Sequence, residues 1–295
     1  MTWTFTADLD EYLAAAGAAV AARPVENTLL LTVAEKLRRR GSDAYGEGAP
    51  LYGWWRGADG VVTGALLWTP PHPVLVGPVP PEAVGPLAEA CGRYGNPAVS
   101  AERATVDALA DEWRRTGVMA TTGVRQRLYR LAELIPPAPA PPGCGRVATA
   151  DDRELLAGWV DAFQRETGQP AAGSLRAVDD RLSYGGLAVW EHEGLAVSMA
   201  GTTRPAVGAV RIAPVYTPAE HRGRGYAAAV TAMVSRAARD AGAGEVLLFA
   251  DLANPTSNGV YRRLGYRPVS DRVEISAAGR GVLIPQAPGG AVTSG

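Results

Sequence analysis

The spacing of apolar positions predicts a chain that alternates helices with short strands. In the first half, Asp8–Val20 and Thr28–Arg40 read as helices, and Leu51–Arg56 with Val61–Thr69 reads as a strand pair turning at Gly57–Gly60. Helices are expected again over Pro81–Arg93 and Ala101–Arg115, followed by a strand at Arg125–Leu131. In the second half, Asp151 and Asp152 open a helical run to Thr167, the paired acids suiting the positive end of a helix. Ser174–Arg181 reads as a further helix, Leu187–Trp190 and Leu195–Thr203 as a hairpin, and Ala209–Tyr216 as a strand. A helix over Tyr226–Ala241 stops at Gly242, and the Val, Leu and Phe of Glu245–Ala250 read as a buried strand. Ser257–Leu264 is a short helix closed by Gly265, and Arg272–Ser276 a last strand.

Between the halves runs Pro136-Pro137-Ala138-Pro139-Ala140-Pro141-Pro142-Gly143, which fits neither a helix nor a central strand and acts as an extended spacer. Residues 1–135 are therefore expected to form one lobe, 136–143 a linker, 144–285 a second lobe and 286–295 a flexible tail. The halves echo each other. Trp55, a turn and Gly60–Ala65 parallel Trp190, a turn and Gly194–Ala200, and Gly77-Pro78-Val79 parallels Ala213-Pro214-Val215.

Composition narrows the function. With 295 residues, 47% hydrophobic and 20% charged, the chain belongs among globular proteins long enough for two cores. A net charge of -1 and the absence of a basic, aromatic-bearing stripe argue against nucleic acid or membrane partners, so any anion site must be local. The N-terminus lacks a secretory pattern and no run reaches membrane-spanning length, which points to the cytoplasm. Cys91 and Cys144 are isolated, and only three histidines are present, so neither a disulfide nor a metal site is expected.

The chemistry concentrates at His221-Arg222-Gly223-Arg224-Gly225-Tyr226-Ala227, placed between an apolar strand and a helix. Glycines there let backbone approach a ligand, and amides at a helix start favour an anion. Arg222 and Arg224 add positive charge. The Gly-Lys-Ser/Thr ending of a nucleotide-hydrolysing loop and the glycine order of a dinucleotide fingerprint are both missing, so a different phosphate-bearing ligand is needed.

The second half, roughly residues 145–276, resembles the GCN5-related N-acetyltransferases (GNAT). The signature Arg/Gln-x-x-Gly-x-Gly/Ala is met by Arg222, Gly225 and Ala227 between strand and helix, and a second signature follows at Asn254–Tyr266. The resemblance implies an α+β fold with mixed, mostly antiparallel sheets flanked by helices. It also implies two tandem lobes, of which the first has no coenzyme site, since Pro81–Leu87 lacks the Arg-Gly-x-Gly turn. It implies transfer of an acetyl group from acetyl-CoA to a primary amine, with a monomer and a homodimer both open. The layout also resembles the glycine N-acyltransferase branch.

By the same resemblance, amides of Gly223, Arg224, Gly225, Tyr226 and Ala227 would hold the pyrophosphate, with the charges of Arg222 and Arg224 beside them. Val215, Tyr216 and Thr217 would splay from the neighbouring strand to pair with the pantetheine arm, an amide near Tyr216 polarising the thioester carbonyl. Asn254 and Asn258 would bond to the arm, and Tyr261 would protonate the departing thiolate. Plainer readings stand beside these: Tyr261 as a core aromatic, the arginines as a solvated loop, Asn254 as a turn former with Pro255. For the general base, Asp251 ranks before Glu166, Glu193 or a water chain, though it equally suits capping the next turn. His192 is expected at a solvent-facing hairpin tip, and Trp54, Trp55 and Trp68 in the core. A non-catalytic acyl-CoA binding or sensing protein is the alternative function.

Overall fold

The computed structural model describes residues 1–168 and 173–278, so the predicted tail at 286–295 lies outside the described residues. The chain forms two compact units, Met1–Gln126 completed by the stretch from Ser270, and Arg127–Val269. The proline-rich segment falls within the second unit.

Unit 1 begins with β1 (Thr2–Thr6), α1 (Leu9–Ala21) and α2 (Thr28–Arg40). Asp8 caps α1 by accepting from the amides of Asp10 and Glu11 at 2.8 and 3.2 Å, and α2 buries Leu30, Val33, Ala34 and Leu37 on one face. Next come β2 (Leu51–Arg56), β3 (Val62–Trp68), β4 (Val74–Val76), α3 (Val84–Arg93), β5 (Val99–Glu102), α4 (Arg103–Arg115) and β6 (Ala120–Leu131), of which the part from Arg127 belongs to unit 2. Strands β1 to β4 pair antiparallel in sequence order, and β5 adds in parallel to β4. Its other edge takes Arg272–Ile275 of the last strand, antiparallel. Trp55, Trp68 and Trp113 fill one face of this sheet, and Trp54 the other, as core residues.

Unit 2 repeats the plan. It contains β7 (Cys144–Val147), α5 (Arg153–Glu166), α6 (Ser174–Leu182), β8 (Leu187–His192), β9 (Leu195–Thr202) and β10 (Ala209–Tyr216). It continues through α7 (Tyr226–Asp240), β11 (Glu245–Asp251), α8 (Pro255–Arg263) and β12 (Tyr266–Ala277), the last strand crossing from unit 2 into unit 1. Strands β7 to β10 pair antiparallel in order, and β11 adds in parallel to β10, the same sequence of pairings as β1 to β5. The internal echo in the sequence is thus matched by a repeated topology in an α+β fold.

Strands β1, β4, β5 and β7 go beyond the sequence expectation. β4 and β5 span only three and four residues, β4 enclosed by Pro73 and Pro78 and β5 following Pro97, too short to show a period. The helix expected from Ala101 starts at Arg103 because Ala101 and Glu102 pair with Val273 and Arg272. His192 ends β8 rather than facing solvent freely; its ring lies 5.9 Å from that of Tyr226. Among the described residues no helix is long and apolar enough to cross a membrane, and both cysteines are free thiols.

Candidate active site

In unit 2, β10 and β11 share a parallel register from Ala209 opposite Glu245 to Ile212 opposite Leu248, and no further pair forms. On its other side β10 shifts register between Ile212 and Val215, then resumes with Val215 opposite Ala200 and Tyr216 opposite Met199. The strand therefore follows β9 and leaves β11, so backbone groups along the divergence have no ladder partner. Gly201 permits this: a Cβ there would stand 2.8 Å from the carbonyl oxygen of Ala213. The far end is pinned by buried Ser198, whose hydroxyl donates to the Tyr216 carbonyl at 3.1 Å and lies 2.8 Å from the Thr217 hydroxyl.

After Thr217 a short turn at Ala219–His221 leads to Gly223 and Gly225, at φ +78° and +85°. Both angles favour glycine; a Cβ on Gly223 would meet nothing within 4 Å, so the space there is open, while one on Gly225 would meet Pro141 at 3.6 Å. Ala229 donates to the Gly225 carbonyl at 3.1 Å, which leaves the amides of Tyr226, Ala227 and Ala228 ahead of the first such bond. Tyr226 turns its ring into the core, so any part it takes at this turn falls to its backbone.

The two arginines differ. Nε of Arg222 donates to the Thr217 carbonyl at 2.9 Å, and one terminal nitrogen lies 2.7 Å from each oxygen of Glu166, the last residue of α5. Its guanidinium sits 5.7 Å from the Tyr216 ring, and the Tyr216 hydroxyl donates to the same carboxylate at 3.2 Å. Burial, with Glu166 beside it, raises the pKa of that phenol. Arg224 is exposed and has no ion pair among the described residues.

A second group forms where β11 ends. Asp251 accepts from the Ala253 amide at 2.8 Å, and Asn254 caps α8 by accepting from the Ser257 amide at 3.0 Å. Buried Asn258 donates to the carbonyls of Asp251 and Asn254 at 2.6 and 2.7 Å and accepts from the Tyr129 hydroxyl at 2.8 Å. Here the two asparagines build the loop. Tyr261 is buried with its ring 6.4 Å from that of Tyr129 and 6.1 Å from that of Tyr266, in an apolar cluster on which Val215 also packs. Burial pushes its pKa up to about 12, so the phenol keeps its proton at neutral pH.

Residues 143–266 match the family model described as Acetyltransferase (GNAT) family. These residues are a GNAT domain. Fold similarity extends over the chain: a GCN5-related N-acetyltransferase from Sphaerobacter thermophilus aligns with a TM-score of 0.63 at 18% identity, covering 96% of each chain. A GNAT-family acetyltransferase from Colwellia psychrerythraea gives 0.62 at 10% identity, covering 94% of this chain and 99% of that one. A fungal glucosamine N-acetyltransferase region, within a multi-domain β-N-acetylglucosaminidase, gives 0.55 at 14% identity, covering 93% of this chain and 38% of that one. No curated protein matches.

The GNAT domain thus gathers Tyr216, Thr217 and Arg222 around Glu166, and Asp251, Asn254 and Asn258 into a second cluster one helical turn from Tyr261. Ser198 and Tyr129, which organise these clusters, were not singled out by sequence. Ser198 is one small polar residue in an apolar strand, and Tyr129 lies among the arginines of β6.

The corresponding strands of unit 1 are finished differently. β4 and β5 pair only at Val74 opposite Val99 and Leu75 opposite Ser100. Beyond that, buried Arg272 donates from Nε to the Ser100 hydroxyl at 2.8 Å and from a terminal nitrogen to the carbonyls of Val76 and Ser100 at 3.0 and 2.5 Å. Beside Gly77 the space is taken by Asn27, whose Oδ1 would clash with an added Cβ. The helix after β4 opens on Pro80 and Pro81, which carry no N–H, and Trp3 donates to the carbonyl of Ala83 at 2.9 Å.

Proposed function

We propose that the chain is an N-acetyltransferase that moves an acetyl group from acetyl-CoA to a primary amine, using one coenzyme site, in unit 2. The observation that carries this reading is the β10–β11 divergence followed directly by the Gly223–Ala227 turn. The open backbone past Ile212 suits a pantetheine arm, which offers amides at strand-like intervals, and the helix-start amides with Arg224 suit the pyrophosphate. Val215, Tyr216 and Thr217 line the arm, and a backbone N–H near Tyr216 polarises the thioester carbonyl.

The amine nitrogen bonds to the carbonyl carbon, the carbon–sulfur bond breaks, and the sulfur takes a proton from the hydroxyl of Tyr261. Burial pushes the pKa of this phenol up to about 12, so it is protonated across the working range but a weaker acid than a free phenol, and the role given to it stands on its place in the second signature. Asp251 is the base assigned to the amine proton, with its carboxylate exposed at the end of β11 and one oxygen held by Ala253. Asn254 and Asn258 act through the shape of the loop that carries Asp251.

The test is Tyr261→Phe with acetyl-CoA and an amine panel that includes glucosamine, peptides and polyamines, following free thiol. Turnover is expected to fall by about a hundredfold with coenzyme affinity unchanged. Unchanged turnover across pH would remove Tyr261 from the mechanism. Coenzyme binding by the wild type without amine-dependent thiol release would instead identify a non-catalytic acyl-CoA binding or sensing protein.

A further inference from the structure

Three groups converge on Glu166 and Arg222 in unit 2: the end of α5, the phenol of Tyr216 and the carbonyl of Thr217. Arg222 reaches both carboxylate oxygens and, through Nε, the backbone just past β10, so two of its three nitrogens are occupied within the protein. We propose that Arg222 is a positioning residue: with Glu166 it forms a latch that ties the diverging end of β10 to α5, and Arg224 is the arginine whose charge faces the coenzyme phosphates. This inference rests on the reading of unit 2 as an acyl-CoA site and reassigns one residue within it.

The pair is about half exposed, with side-chain accessibilities of 47% and 49%, so its charge attraction alone adds little stability. Its value lies in geometry. A planar guanidinium that bonds a carboxylate on one edge and a carbonyl on another fixes their separation, which an ammonium cannot do. The carbonyl concerned belongs to Thr217, and the neighbouring Tyr216 carbonyl is held from the other side by Ser198, so the segment meant to meet the thioester is clamped twice. Arg224, flanked by the two positive-φ glycines, keeps its charge free of ion pairs among the described residues.

Calorimetry with coenzyme A itself separates a latch from a phosphate ligand. If Arg222 bound phosphate, Glu166→Ala would release it, and coenzyme A would bind as well as before or more tightly. A latch predicts that Glu166→Ala, Arg222→Ala and the double variant each weaken binding by about the same factor, roughly tenfold, because the two residues act as one unit. Arg222→Lys keeps the charge and loses the fork, so it should bind as poorly as Arg222→Ala; recovery by lysine overturns the proposal. The salt dependence of affinity should persist in Arg222→Ala and flatten in Arg224→Gln. Unchanged affinity with a lower kcat in Glu166→Ala would make Glu166 the general base and also overturn the latch. If the wild type itself fails to bind coenzyme A, the acyl-CoA reading falls with it, an outcome that the variants alone do not produce.

Discussion

In each unit a parallel strand pair parts, and the two partings end differently. Between β10 and β11 the ladder stops at Ile212, with Arg181 reaching the Ala213 carbonyl at 3.3 Å, and a glycine turn that is open at Gly223 lies beyond. Between β4 and β5 the chain supplies its own partner, since Arg272 donates to carbonyls of both strands and Asn27 occupies the space beside Gly77. The same divergence is thus the proposed ligand site in one unit and a filled joint in the other. Topology alone does not make the site; it depends on whether a side chain of the protein satisfies the exposed backbone first.

Removing the filler gives the largest expected effect. Arg272→Ala leaves two buried carbonyls and a hydroxyl without their charged donor, at a cost of about 3 kcal/mol in urea unfolding. Arg272→Lys should recover less than half of that, because an ammonium has no second, coplanar nitrogen to reach the Ser100 hydroxyl that Nε now serves. Coenzyme A stoichiometry measured on the Lys variant should stay at one per chain. A second site appearing there would show that the unit 1 joint is competent once unplugged. A loss in Arg272→Ala below about 0.5 kcal/mol would show that the guanidinium is not what closes it.

The open side of the comparison is tested at Gly225. Valine is poorly tolerated at φ +85°, and the backbone strain is of order 2 kcal/mol. It would also bulk out the approach to the helix-start amides, so coenzyme A affinity should fall by about thirtyfold. Pro81→Gly, at the equivalent helix start of unit 1, should leave that affinity unchanged. Equal losses from both substitutions would mean that the turn has no special part in binding.

How far the sequence foretold this contrast depends on the kind of signal involved. The glycine turn was legible because positive-φ positions and a helix start leave a local pattern, and the strand before it was legible because Ala209–Tyr216 is apolar but for Arg211. The lack of a second turn after Pro81 could likewise be read directly. Arg272 could not be read, because its partners Val76 and Ser100 are more than 170 positions away and an arginine in a strand normally signals an exposed face. Strands β4 and β5 escaped for the related reason that so few residues carry no period, and their existence depends on neighbours distant in sequence. Asn254 and Asn258 were visible as a motif, but the motif did not reveal that their side chains shape the loop through Ser257, Asp251 and Tyr129.

The smallest effect sharpens the comparison from inside the open site. Ser198 is fully buried, and its hydroxyl holds Tyr216 and Thr217 without touching the parted strand β11. In Ser198→Ala the Tyr216 carbonyl loses a neutral hydrogen bond, so stability should drop by about 1 kcal/mol. Because the lost bond positions the strand end rather than contacting phosphate, affinity for full-length coenzyme A and for its pantetheine fragment should weaken by the same factor, about threefold. Gly225→Val provides the contrast, since a defect at the phosphate turn should weaken coenzyme A and spare pantetheine. If Ser198→Ala instead affected coenzyme A alone, the clamp on Tyr216 and Thr217 would belong to the phosphate end of the site, and the division between arm-binding strand and phosphate-binding turn would have to be redrawn.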